Sequence, residues 1–205
     1  HAELCKNYAF WLEKILVVPD LGLIFKPKCP VTLRKRLRPI ADLLFAAEAT
    51  GRCRLIMEGR IQSNYPPAFA ALASDIAIHE SLLSGTAGLE AALTGVPTLL
   101  LDPEGWPKSP LYRLGPDVVF QDCSSAWEAC EEYFKNPHLH PNFGNWSMMI
   151  DELDPFHHGR AAERMSAYLK ELLEGLRRQE KPSNVMEIAA ERYARRWGKD
   201  KIHRG

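Results

Sequence analysis

The sequence has no run of the roughly 20 apolar residues that a membrane span needs. Its longest aliphatic stretch near the start is broken at Glu13 and Lys14. It has no surplus of charge, since 26 basic residues balance 26 acidic ones. A neutral chain is a poor general nucleic-acid binder and a poor polycationic membrane clamp, although local patches remain open to it. Cysteine is sparse and odd in number: Cys5, Cys29, Cys53, Cys123 and Cys130, with no C-x-x-C pair. That excludes a zinc knuckle or a thioredoxin-type site and predicts reduced cysteines in or near a cytosolic core. Internal repeats and low-complexity segments are absent as well. What is there is an ordinary globular balance, 46% hydrophobic and 25% charged over 205 residues, room for one large domain or two small ones. The chain opens on His1 with no leader pattern, so a processed chain or a fragment is expected.

Charge divides the chain. Residues 1–159 carry 14 basic and 19 acidic groups, and residues 160–205 carry 12 and 7. In the first part, short apolar runs bounded by turn residues alternate with helical stretches. The runs Leu21–Phe25, Cys53–Met57, Ile76–Ile78, Thr98–Leu101 and Val118–Phe120 suit strands buried on both faces. Helices are expected over 3–17, 39–49, 66–73, 87–94 and 124–135, with 30–38 as a loop and Pro39 as a first helical residue. This alternation predicts an α/β fold, a Rossmann-like, doubly wound parallel sheet of five strands. Residues 1–159 would form it, and 160–205 would be a helical tail packed on it. In that tail Met165, Tyr168, Leu169, Leu172, Leu173 and Leu176 make one apolar stripe, and a second helix follows Pro182.

The stretch Ala73–Asp102 carries the chemistry. It reads as strand, loop, helix from Thr86, tight turn, and a strand from Pro97. Gly85 would let a ligand approach the backbone, and Ser84 and Thr86 would supply hydroxyls and cap the helix. The unpaired amides of a helix start accept a phosphate or diphosphate. One turn on, Glu90 is placed to accept hydrogen bonds from a ribose diol. The junction lies at the carboxyl end of a strand, where open α/β sheets bind ligands. An isolated Ser-Gly-Thr more often only caps a helix. The order strand, Ser-Gly-Thr, Glu six residues after the Ser, then Gly-x-Pro before an apolar strand is much rarer.

That segment, S-G-T-A-G-L-E-A-A-L-T-G-V-P-T-L-L-L, resembles the sugar-nucleotide-binding segment in the C-terminal half of GT-B-fold glycosyltransferases. It is also similar to the non-hydrolysing UDP-N-acetylglucosamine epimerases, although Thr86 stands where they have a second Gly. The resemblance implies that Ser84 and Gly85 hold the diphosphate and Glu90 binds the ribose. The wider stretch from Lys26-Pro27-Lys28 to the D-P-F-H-H-G-R run ending at Arg160 resembles surface-carbohydrate biosynthesis proteins. The implied function is the nucleotide-sugar-binding half of a glycosyltransferase building surface polysaccharide. The donor, UDP-type, is a substrate, and no separate cofactor is implied. A glycan or lipid-linked acceptor and a missing N-terminal domain or partner chain complete the expected partners. The place of action would be cytoplasmic, with peripheral association at the inner membrane face. A UDP-sugar epimerase, a CDP-polyol phosphotransferase domain, and a non-catalytic nucleotide- or protein-binding module are the competing readings.

Further candidates flank the segment. Lys26 and Lys28 end the first strand on the edge expected to hold Ser84, where a lysine can neutralise a diphosphate; Lys28 is the preferred one. Arg34–Arg38 reads as plain surface. Arg60, after the second strand, could reach a base or a phosphate. His79 and Glu80 follow the third strand close to the same mouth, but no catalytic residue is assigned. His138 with His140, and His157 with His158, lack ligands at productive spacing, so no metal is expected. Asp154 and Arg160 would cap a helix or join domains, and Trp106, Trp127 and Trp146 would anchor core or interface.

Overall fold

The computed structural model describes residues 2–82 and 85–198. They form two compact units that divide at Met148/Met149, ahead of the division expected at 159/160. The first unit is α/β. Its elements run α1 (Ala2–Val17), β1 (Leu23–Phe25), α2 (Pro30–Arg36), α3 (Ala41–Ala49), β2 (Cys53–Leu55), α4 (Pro67–Ala71), β3 (Ala77–His79), α5 (Thr86–Ala92), β4 (Thr98–Leu101), β5 (Val119–Phe120) and α6 (Cys123–Lys135). α7 (Ser147–Leu153) spans the division, and the second unit holds α8 (Ala161–Arg177) and α9 (Pro182–Trp197).

All five expected strands are present, and every pairing is parallel. They do not form one five-stranded ladder. Among the described residues β1 pairs with β2 in one sheet, and β3, β4 and β5 pair in that order in another. The strands are two to four residues long, so each ladder has few hydrogen bonds to extend it. Side chains bridge where the ladders stop. Trp11 of α1, Leu99 and Leu101 of β4 and Trp127 of α6 form one apolar cluster with Leu23 and Phe25 of β1 and Ile78 of β3. A second cluster packs Tyr8, Leu12 and Ile15 of α1 against Leu33, Leu44 and Ala47. Cys53 and Cys130 belong to these clusters, and burial pushes their thiols up to about 11 and about 12, so both stay protonated and inert.

Residues 30–38 are mostly helix, not loop. Pro30 occupies the first turn of α2, where its missing N–H costs nothing, and Leu33 and Leu37 point into the core. Pro39 is accommodated in a separate short turn, Arg38–Ile40. The return of α1 is fixed by Arg52, whose guanidinium donates to the carbonyls of Ile15, Val18 and Leu21 at 2.7–2.8 Å. It satisfies acceptors that a helix end leaves open and places a cation at the negative end of the dipole.

In the second unit α8 and α9 pack on each other. Only part of the apolar stripe of α8 meets α9. Met165, Leu169, Leu173 and Leu176 are exposed. Tyr168 meets Tyr193 edge-on, Glu171 pairs with Arg192, and Gly175 lies against Val185. A Cβ on Gly175 would fall 2.5 Å from Val185 Cγ1, so the glycine permits the close crossing.

Candidate functional site at the carboxyl ends of the strands

Parallel strands put all their carboxyl ends on one edge, so the loops after β1 and β3 are the natural place for a ligand. β1 and β3 are not hydrogen-bonded to each other, yet their ends come together. Tyr8 stacks on Phe25, the last residue of β1, with ring centroids 4.7 Å apart. Burial raises the Tyr8 phenol far above its ordinary value, the Glu80 carboxylate after β3 raises it further, and Arg36 at the end of α2 opposes them. Glu80 itself is half-buried, and burial pushes its carboxyl up to about 7. Lys26 follows Phe25 directly in the chain. Burial lowers its ammonium below the ordinary value, and the Glu90 carboxylate of α5 works against that drop. Tyr8, Glu80 and Arg36 thus form one electrostatic group at the strand ends, and Lys26 with Glu90 another.

The expected site residues fall unevenly around them. Glu90 is half-buried on α5, and Thr86 is exposed at its first turn. Ser84 lies outside the described residues. Gly85 is the residue before the helix and has no side chain with which to cap it. Its open face is taken by a protein group, because a Cβ there would lie 2.4 Å from Leu111 Cδ1. Leu111 belongs to the short turn Pro110–Leu114 that follows β4. Gly88 is likewise a packing residue: a Cβ would meet Leu100 and Trp146 at 3.0–3.1 Å, so α5 sits close on β4. Lys28 and Arg60 are both exposed, and their loops are tied together by the Ser63 amide, which donates to the Lys28 carbonyl at 3.0 Å. Lys26 is half-buried and feels the Glu90 carboxylate.

Two residues here carried no readable pattern. Tyr8 is an apolar-face position of α1, and only its stacking on Phe25 and the electrostatic influence of Glu80 reveal it. Asp102 closes β4 and is 2% exposed. It accepts from the Trp106 amide at 2.6 Å and from the Tyr112 hydroxyl at 2.5 Å, fixing the loop that carries Leu111 over Gly85. A buried carboxylate must be paired in this way.

His157 and His158 are engaged elsewhere. His157 pairs with Asp151 at 2.8 Å. His158 contacts the Arg164 guanidinium, which lies 3.8 Å over the Phe156 ring and also reaches Asp154 at 3.4 Å. Arg160 pairs with Glu163 across one turn of α8. Among the described residues no group of three or more His, Cys, Asp or Glu side chains is gathered as metal ligands. A groove of about 230 Å³ lined by Arg113, Asp117, Asn142, Asn145 and Ser147 lies at the opposite, amino-terminal edge. There Gly144 joins Asp117 to the start of β4.

No family model matches the chain, and neither the curated proteins nor the solved structures contain a significant match to it.

Proposed function

We propose that the chain is the nucleotide-sugar-binding half of a glycosyltransferase of surface-polysaccharide biosynthesis. Its first unit is then a Rossmann-like fold whose carboxyl-end mouth takes a UDP-type donor. The observation that carries this reading is the electrostatic influence of Glu90, on the helix after β3, on Lys26, the residue after β1. A lysine there offsets the charge of a diphosphate, and a carboxylate on α5 accepts from a ribose diol. Ser84, Gly85 and Thr86 lie between Glu80 and Glu90 in the chain, and this reading assigns them to the phosphates. Lys28 and Arg60 stand outside as longer-range cations. The acceptor site and the rest of the cleft belong to an N-terminal domain or partner chain, and the work is done in the cytoplasm. No described helix is long and apolar enough to cross a membrane.

A second reading, a UDP-sugar epimerase, is favoured by Glu80. Such an enzyme needs an acid or base that exchanges protons near neutrality, and Glu80 titrates at about 7 in the same mouth. Thermal-shift measurements with UDP, CDP, GDP, TDP and their sugars test the shared part of both readings. A ligand that binds only the folded chain raises its melting temperature. Selective stabilisation by UDP and UDP-sugars is expected. No shift with any nucleotide at millimolar concentration would contradict both.

A further inference from the structure

We propose that residues 103–115 form a strap that closes the nucleotide site in the free chain, with Leu111 as its plug and the Asp102–Tyr112 hydrogen bond as its latch, so that a nucleoside diphosphate binds by displacing it. The proposal rests on the nucleotide reading, which assigns Gly85 and its neighbours to the phosphates, and adds how access to them is controlled.

A glycine just before α5 serves a ligand only where the face that a Cβ would cover stands open. At Gly85 that face is covered. Leu111 Cδ1 lies 2.4 Å, and Leu111 Cγ 3.5 Å, from the point a Cβ would take. A leucine methyl and a phosphate cannot both occupy that space, so each excludes the other. Leu111 is carried by the turn Pro110–Leu114, and the Ser109 hydroxyl accepts from its amide at 3.3 Å, so plug and turn move together. The latch lies at the end of β4. Asp102, 2% exposed, accepts from the Tyr112 hydroxyl at 2.5 Å and from the Trp106 amide at 2.6 Å. Gln121, just after β5, donates to the same hydroxyl at 3.0 Å.

The strap itself buries little. No residue of the turn Pro110–Leu114 is buried, and Trp106 is 50% exposed. Segments with few buried contacts open at low free energy. Gly105 (φ +68°) and Gly115 (φ +84°) bracket the turn, with nothing within 4 Å of where a Cβ would be, and such positions absorb the backbone change of a hinge. Nucleotide affinity is then reduced by the fraction of molecules in which the strap is closed, and loosening the latch raises it. A merely structural role for Tyr112 predicts the opposite sign.

The test is calorimetric titration of UDP into the full chain, for wild type, Tyr112→Phe and Leu111→Ala. Trypsin cleavage after Lys108 and Arg113, both exposed in the strap, is the second readout. Phe keeps the ring and Asp102 keeps the Trp106 amide, so folding is retained. Tyr112→Phe should bind UDP about tenfold more tightly than wild type and be cut faster at both sites without nucleotide. Leu111→Ala should also bind more tightly, since it removes the plug. Saturating UDP should raise the wild-type cleavage rate toward that of Tyr112→Phe. UDP binding that is unchanged or weaker in both variants overturns the strap and leaves the nucleotide reading standing. Absence of UDP binding in all three proteins overturns both.

Discussion

Glu80 holds its proton more tightly in the folded chain than in the unfolded one, and stability must depend on pH accordingly. The folded group titrates at about 7 against an ordinary 4.5. The raised value means that its contribution is fully present below about pH 4.5, is lost as pH rises toward 7, and is constant beyond. The difference is roughly 3 kcal/mol for a shift of this size. Urea denaturation of wild type and Glu80→Gln from pH 4.5 to 8.5 should therefore show the variant gaining relative stability as pH rises. A pH-independent difference would show that the carboxyl is solvated. Lys26 is the other residue on which the mouth depends, and Lys26→Met should weaken UDP binding about tenfold while leaving folding intact, since the stem packs as before. The same substitution at exposed Lys28 should do much less. The positions of Glu90 and the lysines relative to the strand ends could be counted in the chain. Their burial could not, because only the fold buries Pro27, leaving Lys26 half-buried and Lys28 exposed.

The elements are held as much by glycine-permitted close approaches as by ladders. Gly144 has φ +62°, and a Cβ there would stand 2.5 Å from the Thr98 amide nitrogen, at the start of β4. The Gly144 carbonyl accepts from that same amide at 3.0 Å. Gly95 has φ +85° with nothing within 4 Å. Gly95→Ala should cost only the left-handed backbone term, about 1–2 kcal/mol. Gly144→Ala adds a backbone clash that cannot relax by moving a side chain, and it should lower the melting temperature considerably more. Equal losses in the two variants would mean that β4 is not pinned at this point. Strand positions were readable because three- to five-residue apolar runs between turn residues leave little else to be. Their division into two ladders was not readable, since pairing partners depend on how α1 and α6 wedge Trp11 and Trp127 between the ends. α2 was missed because two prolines in ten residues suggest a loop. Each proline in fact opens its own turn.

At the scale of the molecule, charge and function separate in the same sense. The first unit contains every group proposed to touch a nucleotide, and the basic surplus belongs to the helices beyond it. Their apolar stripe was legible, but not its destination: α8 meets α9 through Tyr168, Glu171 and Gly175 while four stripe residues are exposed. If the first unit is only the donor-binding half of an enzyme, the 205 residues alone should bind UDP-sugars and release no UDP from them over hours. Steady release would require a complete active site within this chain. The role of Glu90 is read by one experiment, titration of UDP and 2′-deoxy-UDP into wild type and Glu90→Ala. Glu90 reading a ribose diol predicts that wild type prefers UDP, and that the variant loses about 10–100-fold in UDP affinity and binds both nucleotides alike. An unchanged preference for UDP in Glu90→Ala would contradict the account.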